Sequence, residues 1–203
     1  MEYNFKKNKF TVIKKAVDSK IANFVYNYFL MKRQIAKTFF EERYVSEFNL
    51  DHGYWNDPQA PNTYSHYADT AMETLLLFCQ SIIEEKTNLK LLPTYSYARL
   101  YKKGDELLKH KDRYSCEISA TMNLGGNPWP IFLDCYGKEI KITLKPGDML
   151  LYKGGELEHW REPFEGNDCA QVFLHYNNSK TKGSKENIFD GRKHLGLPAW
   201  FKK

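Results

Sequence analysis

The sequence predicts a mainly β fold with helices packed outside one sheet, and two observations carry that expectation. After Pro93 the chain turns to short aromatic or β-branched runs separated by turn residues. Before Pro93 two segments repeat apolar residues at helical spacing. Many short strands at such intervals fit a β-sandwich, barrel or jelly roll, with the two helices covering one outer face.

Asp18 or Ser19 is placed to cap a first helix whose apolar residues Ile21, Phe24, Val25, Tyr28 and Phe29 recur at helical spacing toward Glu42. Between Tyr44 and Tyr64 the chain is rich in Asn, Asp, Pro and aromatics, which is loop chemistry; it reads as a lid or a packed connection. Ser65 is a candidate cap for a second helix reaching Lys86, with Ala68, Met72, Leu75, Leu76, Cys79, Ile82 and Ile83 on its buried side. Strands are expected over Tyr95 to Tyr101, Glu117 to Leu124, Ile131 to Asp134, Glu139 to Leu144, Met149 to Tyr152 and Ala170 to Tyr176. The turns between them include Lys103-Gly104-Asp105, Gly125-Gly126-Asn127-Pro128 and Pro146-Gly147-Asp148. The tail from Asn177 is polar, then carries apolar residues from Leu195 to Phe201 that can dock back on the domain.

At 203 residues, 42% of them hydrophobic and 27% charged, the chain can build its own core and is neither disordered nor fibrous. No apolar run approaches the roughly 18 residues that span a bilayer, and Met1 to Lys15 has no secretory pattern. Four widely spaced cysteines form no CxxC pair and read as reduced, buried thiols of a cytoplasmic protein. The net charge of +5 is spread along the chain and mixed with acids, without the basic stripe that nucleic-acid binding needs. Oligomeric state has no signature here.

The chemistry-bearing residues are few. His110-Lys111-Asp112 sets an imidazole and a carboxylate on one side of an extended segment, and His159 follows a later strand. Alone, the first pattern also suits a surface turn, and His159 also suits an ordinary rim histidine. Together, two His and one carboxylate make the facial triad that leaves three metal positions open.

Four segments in order then carry a family likeness: Arg99-Leu100-Tyr101-Lys102-Lys103-Gly104; His110-Lys111-Asp112; Leu144 to Tyr152 with its Lys-Pro-Gly-Asp turn; and His159 followed by Glu162-Pro163 and Gly166. The stretch from 95 to 176 resembles the Fe(II)- and 2-oxoglutarate-dependent dioxygenases, most closely their prolyl 4-hydroxylase-like branch. The resemblance implies a double-stranded β-helix, a cupin-like jelly roll spanning 93–176, supported by helical residues 1–92 and followed by a tail over 177–203. It implies Fe(II) held by His110, Asp112 and His159, with 2-oxoglutarate and O2 as co-substrates. The implied reaction is hydroxylation of an unactivated C–H bond in a prolyl or other amino-acid side chain, in a peptide or small-molecule substrate.

The family places a cation nine or ten residues beyond the distal histidine to hold the far carboxylate of 2-oxoglutarate; here those positions are Asp168 and Cys169. Arg161 is the candidate replacement, with Arg113 the alternative; a rim ion pair to Glu158, Glu162 or Asp168 is the other reading of Arg161. Tyr101 matches the family's pocket tyrosine, and Thr121 and Asn123 fall near a second pocket position. Gln171 and His175 alternate on the last strand and can face inward. Trp129 and Trp160 suit core or rim packing, or the substrate mouth. Two other functions compete: a non-catalytic jelly-roll metal- or ligand-binding module, and an oxidative demethylase of nucleic acid.

Overall fold

The computed structural model describes residues 3–46 and 48–202; Met1, Glu2, Glu47 and Lys203 lie outside them. Ten strands form two antiparallel sheets. They are β1 (Phe10–Ile13), β2 (Tyr64–Tyr67), β3 (Leu91–Lys102), β4 (Leu107–His110), β5 (Ile118–Gly126), β6 (Ile131–Cys135), β7 (Lys138–Ile142), β8 (Met149–Tyr152), β9 (His159–Arg161) and β10 (Asp168–Asn178). The major sheet runs β1-β8-β5-β10-β3-β2 and the minor sheet β4-β9-β6-β7. The two sheets face each other as a jelly roll.

Period-two alternation sorts the major sheet's side chains. Ala98 and Leu100 of β3, Ile118, Ala120, Met122 and Leu124 of β5, and Ala170, Val172, Leu174 and Tyr176 of β10 join one apolar cluster with the helices. The intervening residues point between the sheets. There, Phe10, Leu150, Ile131, Leu133, Ile140 and Ile142 form an apolar plug, and Tyr101, Trp129, Phe164, Cys169 and Phe173 a second one.

Beyond a one-turn helix α1 (Phe5–Asn8), the helices are α2 (Ser19–Glu41) and α3 (Thr70–Thr87). Asp18 caps α2, its side chain accepting from Lys20 N, as its sequence position predicts. The second helix departs from expectation: Ser65 is buried in β2, and Asp69 caps α3 by accepting from Ala71 N and Met72 N. Residues 64–67 alternate too briefly to stand out from the helix that follows. The Asp69 carboxylate also accepts from Tyr28 Oη and Lys32 Nζ of α2, both at 2.8 Å, which ties the two helices together.

The sequence reading also misses β1, β4 and β9, strands of three or four residues that carry no periodic signal of their own. The six expected strands are all present, with ends displaced by up to four residues. The four cysteines are free and buried. No described helix is long and apolar enough to cross a membrane.

One turn needs its glycine. Gly147 has φ +86°, and a Cβ there would collide with the Val17 carbonyl. The next residue, Asp148, accepts from Lys15 N and Lys145 N, fixing the crossing into β8.

The tail docks through charge more than through apolar residues. Arg192 Nη2 donates to Glu73 Oε1 at 2.6 Å, and both side chains are excluded from solvent. Leu195 packs on the helical cluster, whereas Trp200 and Phe201 stay exposed. Replacing Arg192 by Met leaves a buried carboxylate uncompensated and is expected to cost about 3–5 kcal/mol by urea unfolding. Adding Glu73→Gln to that variant restores most of the loss.

Candidate metal centre and its cavity

His110 ends β4, Asp112 follows two residues later, and β9 pairs with β4 so that His159 lies directly opposite His110. That register brings three ligand atoms within 4.8 Å of one another. Asp112 Oδ1 stands 3.8 Å from His110 Nε2 and 3.5 Å from His159 Nε2. Each imidazole uses its other nitrogen on the backbone: His110 Nδ1 lies 2.7 Å from the Leu108 carbonyl and His159 Nδ1 3.1 Å from that of Leu157. A carbonyl only accepts, so each Nδ1 carries a proton and each Nε2 is the ring nitrogen turned to Asp112. Two imidazoles and one carboxylate on one face are the donor set of the iron facial triad.

Burial raises the Asp112 carboxyl, but His159, His175 and the Ser119 hydroxyl outweigh it and hold it well below the usual range. Burial and the neighbouring His159 push His110 down. Both shifts favour the metal-binding forms at neutral pH.

The triad opens on a cavity of about 430 Å³ lined by Asp57, Tyr97, Arg99, Leu107, Tyr152 and Phe173 among others. A second chamber of about 790 Å³, walled by Tyr54, Tyr67, Trp200 and Phe201, shares Tyr95, Tyr97 and Arg113 with it.

Asp57 and Gln59, on the loop that precedes β2, line the first cavity. Asp57 accepts from Arg99 Nε at 3.0 Å and Nη2 at 2.5 Å and from Tyr97 Oη at 2.5 Å. Gln59 Oε1 accepts from the same Nη2 at 2.8 Å. Burial pushes Asp57 up, yet Arg99, Tyr97 and the Gln59 N–H hold its carboxyl below the ordinary value. Sequence reasoning gave Arg99 and Asp57 no role; nothing local signals a pair 42 residues apart.

Arg161 faces inward, two residues beyond His159, and is 2% exposed. Its Nη1 donates to the Trp129 carbonyl at 2.5 Å, and its guanidinium lies 4.9 Å from the Trp129 ring centroid. Nε and Nη2 have no partner among the described residues. Burial pushes the guanidinium down, opposed by Cys169, Tyr101 and Tyr152. The rim ion pairs to Glu158, Glu162 or Asp168 are not formed; Asp168 instead accepts from Tyr26. Arg161 does not line the metal cavity itself, although its cross-strand partner Leu107 does.

The other expected pocket residues divide. Tyr101 is buried and accepts from Arg99 Nη1 at 3.2 Å. Asn123 is buried with Oδ1 unpartnered, and the Thr121 hydroxyl donates to Gln171 Oε1 at 3.3 Å. Arg113 is bound to Asp190 at 3.1 Å on the cavity rim. Trp160 stacks on Phe132 at 5.6 Å on the outer side of the minor sheet, away from the mouth. His175 does face inward, toward the triad.

No family model and no curated protein matches the chain by sequence. Solved structures do match. A prolyl-4-hydroxylase of Pseudomonas putida aligns over 86% of this chain and 95% of its own at 14% identity, with a TM-score of 0.64. HygX of Streptomyces hygroscopicus, solved with nickel and 2-oxoglutarate, aligns over 98% and 91% at 13% identity and 0.62. A Trichoplax adhaerens prolyl hydroxylase, in complex with a fragment of the hypoxia inducible factor oxygen degradation domain, aligns over 87% and 86% at 16% and 0.59. The fold is therefore the jelly roll of the 2-oxoglutarate/Fe(II) oxygenases.

Two outcomes are expected. Asp57→Asn strands a buried guanidinium and costs about 3–5 kcal/mol at pH 7. Because the folded carboxyl titrates below its unfolded value of about 3.9, the difference from wild type persists above that pH and shrinks below it, measured by urea unfolding between pH 3 and 8. Co(II) affinity, followed by calorimetry, should be level from pH 7 to 8 and fall in more acidic solution as the His110 imidazole, held below its ordinary value of about 6.5, protonates.

Proposed function

We propose that the chain is an Fe(II)- and 2-oxoglutarate-dependent dioxygenase that hydroxylates an unactivated C–H bond of an amino-acid side chain, prolyl foremost. The observation that carries this reading is Arg161: a fully buried guanidinium with two unpartnered donor nitrogens and no carboxylate beside it. A desolvated cation without an anion is costly, and a site that keeps one is built for an anionic ligand. Cys169 stands where the prolyl 4-hydroxylase-like pattern would place its own cation, and it acts electrostatically on Arg161, which turns into the interior from the opposite sheet.

His110, Asp112 and His159 hold the iron. Arg161 takes the far carboxylate of 2-oxoglutarate, about 7 Å along β9 from the metal ligand His159, at two strand residues of rise. Tyr101, Asn123 and Thr121 are the polar groups of the same interior, and the free Asn123 Oδ1 and the Arg161 donors are the atoms still open to a ligand. When bound, iron with 2-oxoglutarate and O2 would supply the oxidising power for the C–H bond. His110, Asp112 and His159 would hold the iron from one side, and the substrate C–H bond would approach it from the cavity side.

Arg113 stays with Asp190 at the rim, which supports Arg161 over Arg113 as the co-substrate anchor. The aromatic second chamber, which shares Tyr95, Tyr97 and Arg113 with the metal cavity, supports a substrate larger than the group hydroxylated, such as a peptide.

The test is Arg161→Met. 2-Oxoglutarate affinity of the Fe(II) protein, read anaerobically from the visible band of the chelated keto acid, should fall about 10–100-fold, the loss of one or two charged hydrogen bonds. Metal affinity should hold, and the metal-free variant should melt no earlier than wild type because it has shed an uncompensated buried charge. Unchanged 2-oxoglutarate affinity would remove Arg161 from the site. Absence of the band in the wild type would favour the binding-module reading.

A further inference from the structure

Behind the triad, one row of side chains crosses the major sheet. Tyr95 of β3 faces His175 of β10, His175 faces Ser119 of β5, and Ser119 faces Tyr152 of β8. All four point between the sheets toward the metal ligands. Tyr152 Oη approaches His159 Nε2 at 3.4 Å, and Ser119 Oγ stands 2.6 Å from Asp112 Oδ2.

The hydroxyl of Ser119 has one proton and three candidate acceptors, Asp112 Oδ2 at 2.6 Å, His175 Nδ1 at 3.0 Å and the Cys116 carbonyl at 3.1 Å. The ionised carboxylate is both closer and the stronger acceptor, so the proton goes to it. The oxygen of Ser119 then has its lone pairs free, and His175 Nδ1 at 3.0 Å donates into them. His175 is itself held by its ladder position between β3 and β5 and by the Tyr95 ring at 4.7 Å. Asp112, by contrast, lies on a connecting segment outside any strand.

We propose that Ser119 and His175 are positioning residues that hold Asp112 as a one-oxygen metal ligand. The hydrogen bond commits Oδ2 to the sheet and leaves Oδ1 turned to the two imidazoles. A carboxylate binding through both oxygens would take four of six octahedral positions with the histidines, leaving two where a chelating keto acid and O2 need three. The pair also transfers the rigidity of the central strands to a ligand on a loop. Gly154 completes the arrangement. Its carbonyl accepts from Asp112 N at 2.9 Å, and a Cβ there would collide with Asp112 Oδ2 and crowd Ser119 Oγ. This inference rests on the metal-binding reading of the triad.

The experiment uses the full-length protein with Co(II) as probe. Its affinity is measured by anaerobic calorimetry, and its visible absorption reports coordination number. Ser119→Ala should bind Co(II) about 10–100-fold more weakly and with an altered visible spectrum. Ser119→Thr, which keeps the hydroxyl, should restore both. His175→Leu removes the donor behind the serine and should move both readouts in the same direction, which keeps the test open if Ser119→Ala does not fold. Wild-type affinity and an unchanged spectrum in Ser119→Ala or His175→Leu would overturn the proposal while leaving the triad intact. Wild-type protein that binds Co(II) no better than Asp112→Ala would overturn the metal reading, and this inference with it.

Discussion

The alternation of β10 is the constraint on which the rest depends. Ala170, Val172, Leu174 and Tyr176 must lie under the helices, so Cys169, Gln171, Phe173 and His175 must lie between the sheets. β10 is also paired on both sides, with β3 and β5, and so it dictates which of their residues turn inward. A slip of one residue would bury Gln171 and His175 beneath α3 and expose the apolar set to the cavity. The helical core and the polar interior are therefore one decision of register made twice over.

The interior holds two arginines in opposite electrostatic states. Arg99 is neutralised by Asp57, brought in from a loop 42 residues away, and its pKa is raised despite burial because Tyr101, Tyr97 and Asp57 surround it. Arg161 has only a carbonyl and a ring face. The first is a finished structural contact that closes one wall of the cavity. The second is unfinished within the protein, as a stored vacancy for negative charge would be.

Much of this was legible in the sequence where the signal is periodic or carried by a rare residue type. The two long helices and six of the ten described strands stand out from their local patterns, whereas His110, Asp112 and His159 gain meaning only when taken together. The inward face of Arg161 was legible by its spacing from His159, two residues along one strand. What was not legible depends on partners far apart in the chain. Ser65 looks like a cap until β2 pairs with β3 and leaves Asp69 to start the helix. Asp57 with Arg99, and Ser119 with His175, acquire meaning only from register, since serine on a strand and aspartate in a loop are common wherever they occur.

A jelly roll of ten strands has four outer edges, each a row of backbone groups able to recruit a stranger's strand. Here each edge carries a deterrent. β1 is bracketed by Lys9, Lys14 and Lys15, β7 bears Lys138, Glu139 and Lys141, and β4 bears Lys109. β2 is partly covered by the bridge between Tyr54 and Ser65. The lysines that give the chain its positive balance thus have a use unconnected with any ligand: they keep a sheet-rich molecule from templating its own aggregation.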